Sequence, residues 1–217
     1  MELGVIFIAI PKTGTTSVRG QLTQKGEAII HNAHLNIRQV KELLYVFLLK
    51  QTMGTNLEFP NDRMPSDDDL RTQANALFQS YFKFSSVRNP WARAVSMYFR
   101  REGVKTRDDL TFEQFIEGHH FASDTCRQPT LHQNQFDWLC DENGILQMDY
   151  VYKVEELEEA IPIIREKTSG KVVLRYAQKN QNKLSKSETY QEMYTDHTRK
   201  LIASRFEKDI DTFKYVF

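Results

Sequence analysis

Leu3-Gly4-Val5-Ile6-Phe7-Ile8-Ala9-Ile10, followed by Pro11-Lys12-Thr13-Gly14-Thr15-Thr16-Ser17, is the stretch on which the reading of this chain turns. Its first half is a continuous apolar run rich in β-branched residues, the pattern of a strand buried on both faces of a parallel sheet. Pro11 ends it. The second half is short, polar and rich in hydroxyls, and it feeds Val18-Arg19-Gly20-Gln21-Leu22, where the pattern turns helical. Strand, polar loop and helix in that order predict a loop that offers an anion main-chain N–H groups, the positive end of a helix and several side-chain donors. As an isolated feature the same loop also reads as a capped turn. A Walker-type phosphate loop carries glycines ahead of its lysine, whereas here Gly14 follows Lys12, so an ordinary P-loop kinase or ATPase is disfavoured.

Working outward, apolar residues at Val40, Leu43, Leu44, Phe47 and Leu48 place a helix between Leu35 and Lys50, and Gln51 to Pro65 reads as a loop. Ser66 followed by Asp67, Asp68 and Asp69 is an N-cap with acids in the first turn, opening a helix to about Ser80. Tyr81 to Val87 reads as a second strand, stopped at Asn89-Pro90, and Trp91 to Arg101 is helical again. Thr111 with Gln114 three residues on is a capping box for the helix holding Phe112, Phe115 and Ile116. A third strand is expected from Met148 to Val154, then a helix from Glu155 to Thr168 with Pro162 inside it and Gly170 past its end, then a strand at Val172 to Arg175. Helices near Ser187 to Tyr194 and Asp196 to Lys208 complete the alternation. The expectation is one α/β domain over residues 1–217, with a central, mainly parallel sheet flanked by helices.

The chain has 217 residues, with 29 Lys plus Arg against 29 Asp plus Glu. That balance removes the broad positive field of a non-specific nucleic-acid binder or a polybasic membrane protein, so an anionic ligand must be held by a local site. The apolar run at the start is far short of the ~20 residues needed to cross a bilayer, and no basic segment precedes it, so a soluble, cytoplasmic protein is expected. Cys126 and Cys140 have neither zinc-knuckle nor redox spacing and are expected to be reduced and buried.

A second cluster of donors lies in Ser85-Ser86-Val87-Arg88-Asn89-Pro90-Trp91. An arginine there leaves the end of a strand just before a helix that carries Ser96 on its second turn. Arginine offers a planar fork to a phosphate and a serine hydroxyl can complete the shell, although Arg88 alone also fits a structural ion pair. Taken together, PKTGTTS after one apolar strand and VRNPWARAVSMYFR after another resemble the two nucleotide-binding signatures of sulfotransferases that use 3′-phosphoadenosine 5′-phosphosulfate (PAPS). The closer resemblance is to the carbohydrate-type branch, which includes heparan 2-O and chondroitin/HNK-type enzymes and bacterial relatives. Further matching strings are Tyr152-Lys153-Val154-Glu155-Glu156-Leu157 and Asp209-Ile210-Asp211-Thr212-Phe213-Lys214-Tyr215, so the likeness runs from residue 6 to the C-terminus.

The resemblance implies a P-loop-like sulfotransferase fold, in which Lys12, Thr13, Gly14, Thr15, Thr16 and Ser17 wrap the 5′-phosphosulfate while Arg88 and Ser96 hold the 3′-phosphate. It implies sulfuryl transfer from PAPS to a hydroxyl of an acceptor, a glycan or glycoconjugate, without a metal, with Lys12 stabilising the leaving phosphate and a histidine as base. His34, at the family's catalytic position, is the first candidate, with His31 and His132 behind it. Lys183 and Lys186 fall in a loop that approaches the 3′ side of the nucleotide in relatives, and Arg100, Arg101, Lys105 and Arg107 could grip an anionic acceptor or form a solvated face. His119-His120 lacks metal-ligand spacing, and His197 reads as a surface or capping residue. A kinase-like phosphotransferase and a non-catalytic nucleotide-binding module are the alternatives. The sequence leaves a homo-oligomer open.

Overall fold

A computed structural model of the chain describes residues 3–32, 34–53, 65–99, 110–119, 133–176 and 189–217. Among these, three strands form one parallel sheet, β1 (Val5–Ile8), β2 (Phe82–Val87) and β3 (Tyr150–Lys153), in that spatial order with β2 in the middle. Register is set by Phe7 beside Phe84 and by Ser85 beside Val151. Three helices lie between β1 and β2: α1 (Thr15–Thr23), α2 (Ile37–Met53) and α3 (Asp67–Ser80). After β2 comes α4 (Pro90–Tyr98), then a short helical turn, Phe112–Gln114, that widens into a π-helix over Phe115–His119. α5 (Leu157–Lys167), α6 (Asp196–Arg205) and α7 (Glu207–Phe213) follow β3.

The alternation of side chains along β1 explains why the sheet is covered on both sides. Ile6, Ile8 and Ile10 point into one core with Ile37 and Leu44 of α2, Phe78 of α3, Trp91 and Val95 of α4, and Ile202 and Phe206 from the C-terminal helices. Val5 and Phe7 point the other way, onto a smaller core of Val18 from α1, Phe84, Tyr152, Ala160 and Ile164 from α5, and Val172 and Leu174. A strand buried on both faces needs an unbroken apolar sequence, which is what residues 3–10 supply. The helix starts follow local chemistry. Ser66 and Asp69 close a capping box on α3, and Asn89 accepts from the N–H groups of Trp91 and Ala92 at the head of α4, with Pro90 in the first turn.

Three expectations differ from the structure. Residues 172–175 are extended and bury Val172 and Leu174, but they join no ladder; their main chain is held instead by Gln21, whose carboxamide donates to the Arg175 carbonyl and accepts from its N–H. The segment expected as a helix near Ser187 to Tyr194 is a single 3-10 turn over Tyr190–Met193 among the described residues. The last helix divides at Phe206, which is fully buried and serves as a joint between α6 and α7. Gly170, with φ +77°, does end the turn after α5, its N–H bonding to the Arg165 carbonyl. Among the described residues no helix is long and apolar enough to cross a membrane.

One charge is built into the sheet itself. Lys83 on β2 is buried, and its ammonium donates to the Tyr81 carbonyl at 2.9 Å and the Phe78 carbonyl at 3.4 Å while lying 3.2 Å from Asp149. It thereby satisfies carbonyls at the end of α3, where the chain turns into β2. Replacing Lys83 with Met should keep the shape but orphan those carbonyls, and a loss of about 1–3 kcal/mol is expected. For a chain of this size that corresponds to a fall in Tm of about 2–4 °C per kcal/mol, read by thermal denaturation.

Candidate active site

The loop between β1 and α1 takes a backbone shape that few sequences tolerate. Lys12 has φ +69° and Gly14 φ +76°, two left-handed residues separated by Thr13. Such a conformation costs a residue with a side chain about 1–2 kcal/mol, so Lys12 must be held there by its surroundings. Four consecutive carbonyls show how. The Ile10 carbonyl accepts from the Thr13 hydroxyl at 3.0 Å, and that of Pro11 from Arg93 Nε at 3.1 Å. The Lys12 carbonyl accepts from Arg88 Nη1 at 3.3 Å, and that of Thr13 from Ser86 Oγ at 2.8 Å. The oxygens that would repel an anion are therefore turned toward protein donors. Gly14 is fixed by its neighbour as well as by its dihedral, since a Cβ there would lie 2.7 Å from Cγ2 of Val154.

The head of α1 is prepared in the opposite sense to that of α3. No side chain caps it and no acid occupies its first turn, whereas α3 begins with a capping box and three aspartates. The positive end of the α1 dipole and its first N–H groups are thus left without a carboxylate partner among the described residues. Thr16 is exposed and Ser17 half-buried, while Thr13 and Thr15 are buried. The hydroxyl of Thr13 is used inside the fold, between the Ile10 carbonyl and Ser86 Oγ, so what it offers outward is its main chain.

Arg88 stands at the end of β2, half-buried, and its contact with the Lys12 carbonyl joins the second motif to the first. Its own main chain is gripped on both sides by Gln135, whose Oε1 accepts from the Arg88 N–H and whose Nε2 donates to the Arg88 carbonyl, each at 2.8 Å. Arg93, in the wholly buried helix α4, sits beneath the loop with its Nη2 lacking a hydrogen-bond partner among the described residues. Burial lowers the pKa of Arg88 and pushes that of Arg93 down to about 10, partly offset by Asp209, so Arg93 remains a cation at neutral pH. Ser96 is buried on the second turn of α4.

His34 is carried to the same end of β1. Its Nδ1 lies 2.8 Å from the Ala9 carbonyl, which can only accept, so Nδ1 bears the proton and Nε2 of the neutral ring is an acceptor. The ring is exposed, and its main-chain N–H bonds to Asn32 Oδ1. The structure thus gathers Lys12, Thr13, Gly14, Thr15, Thr16, Ser17, Arg88 and His34 around the C-terminal ends of β1 and β2, where ligands of open α/β sheets bind. His31 is exposed in the segment leading to His34. His132, His120, Lys183, Lys186, Cys126 and the basic residues Arg100, Arg101, Lys105 and Arg107 lie outside the described residues. Cys140 is buried, which raises its thiol pKa, and His197 pairs with Glu117 at 3.1 Å on the surface. No group of His, Cys, Asp and Glu among the described residues is arranged to hold a metal ion.

A cavity of about 310 Å³ lies along the outer edge of β1, away from the loop, with Phe7, Leu22, Ile30 and Leu44 in its wall. Its wall is mostly apolar, and Asn32 and Leu35, on either side of His34 in the chain, belong to it. Gln135, Arg93, Ser86 and Asp209 are supporting residues to which sequence reasoning gave no role, although Ser86, Arg93 and Asp209 stand inside the quoted strings. Asp209 lies three residues after Phe206 and four before Phe213, but Arg205 and Thr212 share that face, so nothing in the spacing marks it as a buried carboxylate.

A family model described as that of the sulfotransferase family matches residues 2–216. Comparison with curated proteins and with solved structures gives no match.

The packing of Gly14 on Val154 makes the loop testable without a ligand. Gly14→Ala should cost about 2 kcal/mol or more, the left-handed penalty plus the overlap. Added to Val154→Ala, it should cost only the left-handed part, about 1–2 kcal/mol. Equal costs in the two backgrounds, measured by denaturant titration, would show that the contact is not the constraint.

Proposed function

The chain belongs to the sulfotransferase family, and from that premise we propose that it transfers the sulfuryl group of PAPS to a hydroxyl of an acceptor, a glycan or glycoconjugate. The observation that carries this reading is the loop of residues 11–17, with its carbonyls drawn inward and the α1 N-terminus free of acids, a cradle suited to a multiply charged anion. When bound, PAPS would supply an activated sulfuryl group whose bond to the 5′-phosphate oxygen breaks as the bond from the acceptor oxygen to sulfur forms.

The chain's own residues have separate tasks in that exchange. The N–H groups of the loop and of the first turn of α1, with the hydroxyls of Thr16 and Ser17, bind the 5′ end. Lys12 places a positive charge near the oxygen on which negative charge grows as the sulfuryl group departs. Arg88 and Ser96 hold the 3′-phosphate; the Arg88 guanidinium spends one N–H on the Lys12 carbonyl and has others to offer in its planar fork. His34 Nε2 takes the proton of the acceptor hydroxyl, with Nδ1 kept protonated by the Ala9 carbonyl. No acid is needed on the leaving side, since adenosine 3′,5′-bisphosphate departs as an anion.

Calorimetry with adenosine 3′,5′-bisphosphate, ADP and ATP, each with and without magnesium, tests the donor site. Tight metal-independent binding that requires the 3′-phosphate is expected; preference for magnesium ATP would make the protein a kinase-like enzyme. In a transfer assay over an acceptor panel, Lys12→Ala should lower kcat by about 10²–10³-fold, as loss of a transition-state donor does. His34→Gln should lose rate while keeping PAPS affinity, and Arg88→Ala should chiefly raise KM for PAPS. A wild-type rate in Lys12→Ala would overturn the mechanism, and an active His34→Gln would move the base to His31 or His132. Tight nucleotide binding with no transfer to any acceptor would favour a non-catalytic module.

A further inference from the structure

Asp209 has no part in the reaction described above, yet it is the one fully buried carboxylate among the described residues. It sits on α7 and points into the loop before the 3-10 turn Phe136–Trp138. Its Oδ2 accepts from the Gln135 N–H at 2.8 Å and from Gln135 Nε2 at 3.2 Å, and its Oδ1 accepts from the Phe136 N–H at 2.9 Å. The Asp209 N–H in turn donates to Asn134 Oδ1 at 3.3 Å. The contact with Nε2 joins the Arg88 main chain in fixing how the Gln135 carboxamide lies. In the flipped orientation its oxygen would face both the Asp209 carboxylate and the Arg88 carbonyl, and its NH₂ would face the Arg88 N–H, three repulsive pairings in a buried site. With the amide fixed as it is, Gln135 clamps the Arg88 main chain on both sides at 2.8 Å, and Arg88 reaches the Lys12 carbonyl.

We propose that Asp209 is a positioning residue that acts through Gln135 on Arg88, setting the arginine on which recognition of the donor's 3′-phosphate depends. The proposal rests on the reading of Arg88 as the 3′-phosphate ligand. It makes a helix at the far end of the sequence a determinant of donor affinity although it touches no donor.

The test compares two nucleotides that differ only at the 3′ position, adenosine 3′,5′-bisphosphate and adenosine 5′-phosphate, by calorimetry on the wild type, Asp209→Asn and Gln135→Met. In each variant the ratio of the two affinities should fall by about tenfold, the scale of one weakened charge-assisted hydrogen bond, while adenosine 5′-phosphate binds as before. A role in folding alone would weaken both nucleotides in proportion and leave the ratio unchanged, which would overturn the proposal. In an Arg88→Ala background, Asp209→Asn should shift the ratio no further; an additional fall would overturn the route through Arg88. Gln135→Met keeps both main-chain bonds to Asp209 and fills the same space, so it reads the last link even where Asp209→Asn fails to fold. A wild-type ratio near one would remove the 3′-phosphate reading itself, a failure distinct from an unchanged ratio in the variants.

Discussion

The left-handed backbone at Lys12 is the constraint around which the rest of the molecule is arranged. An ordinary side-chain-bearing residue does not stay in that conformation unaided, and the four carbonyls that flank it must find donors inside the protein. Those donors come from Thr13 itself, from Ser86 on β2, from Arg88 just beyond β2 and from Arg93 on α4. β2 must therefore lie beside β1, in parallel and in this register, and α4 must pass beneath the loop. The wholly buried helix α4 follows from the same demand, because a guanidinium that serves the Pro11 carbonyl from below has to be inside the core.

The two hydrophobic cores give this arrangement its rigidity. One holds α2, α3, α4 and the C-terminal helices against the isoleucine face of β1, and the other holds α1 and α5 against its opposite face. The loop sits where the two meet. Val154, at the end of β3, presses on Gly14 from one side, and the arginines hold the preceding carbonyls from the other. Binding an anion at such a loop requires little reordering of the chain, which is how pre-formed sites avoid the entropic cost of assembly.

Much of this was legible in the sequence, and the parts that were not share a cause. The first strand announced itself through a continuous apolar run, the second through its aromatic residues and the stop at Asn89-Pro90, and the head of α3 through Ser66 with its aspartates. Val172 to Arg175 has the composition of a strand but gains its hydrogen bonds from Gln21, a side chain 154 residues away, and composition carries no trace of such a partner. The Phe206 joint is hidden for a similar reason, since a buried phenylalanine is as compatible with a continuous helix as with a break. In the site, the residues proposed to meet a ligand stand in strings that could be recognised, and Arg93 and Asp209 stand in those strings too, but their contacts, like those of Gln135, span long separations and are visible only once the chain is folded.

The bond from His34 to the Ala9 carbonyl has a geometric consequence. Ala9 and Lys12 are three residues apart on one stretch of backbone, so the imidazole and the ammonium are mounted on the same short beam. The hydrogen bond of the one and the main-chain attachment of the other therefore both lie on the short segment just beyond β1, the strand whose isoleucines anchor the larger core. In the proposed reaction an acceptor hydroxyl meets a base and a cation carried by one stretch of backbone, and selection among acceptors falls to the surrounding walls.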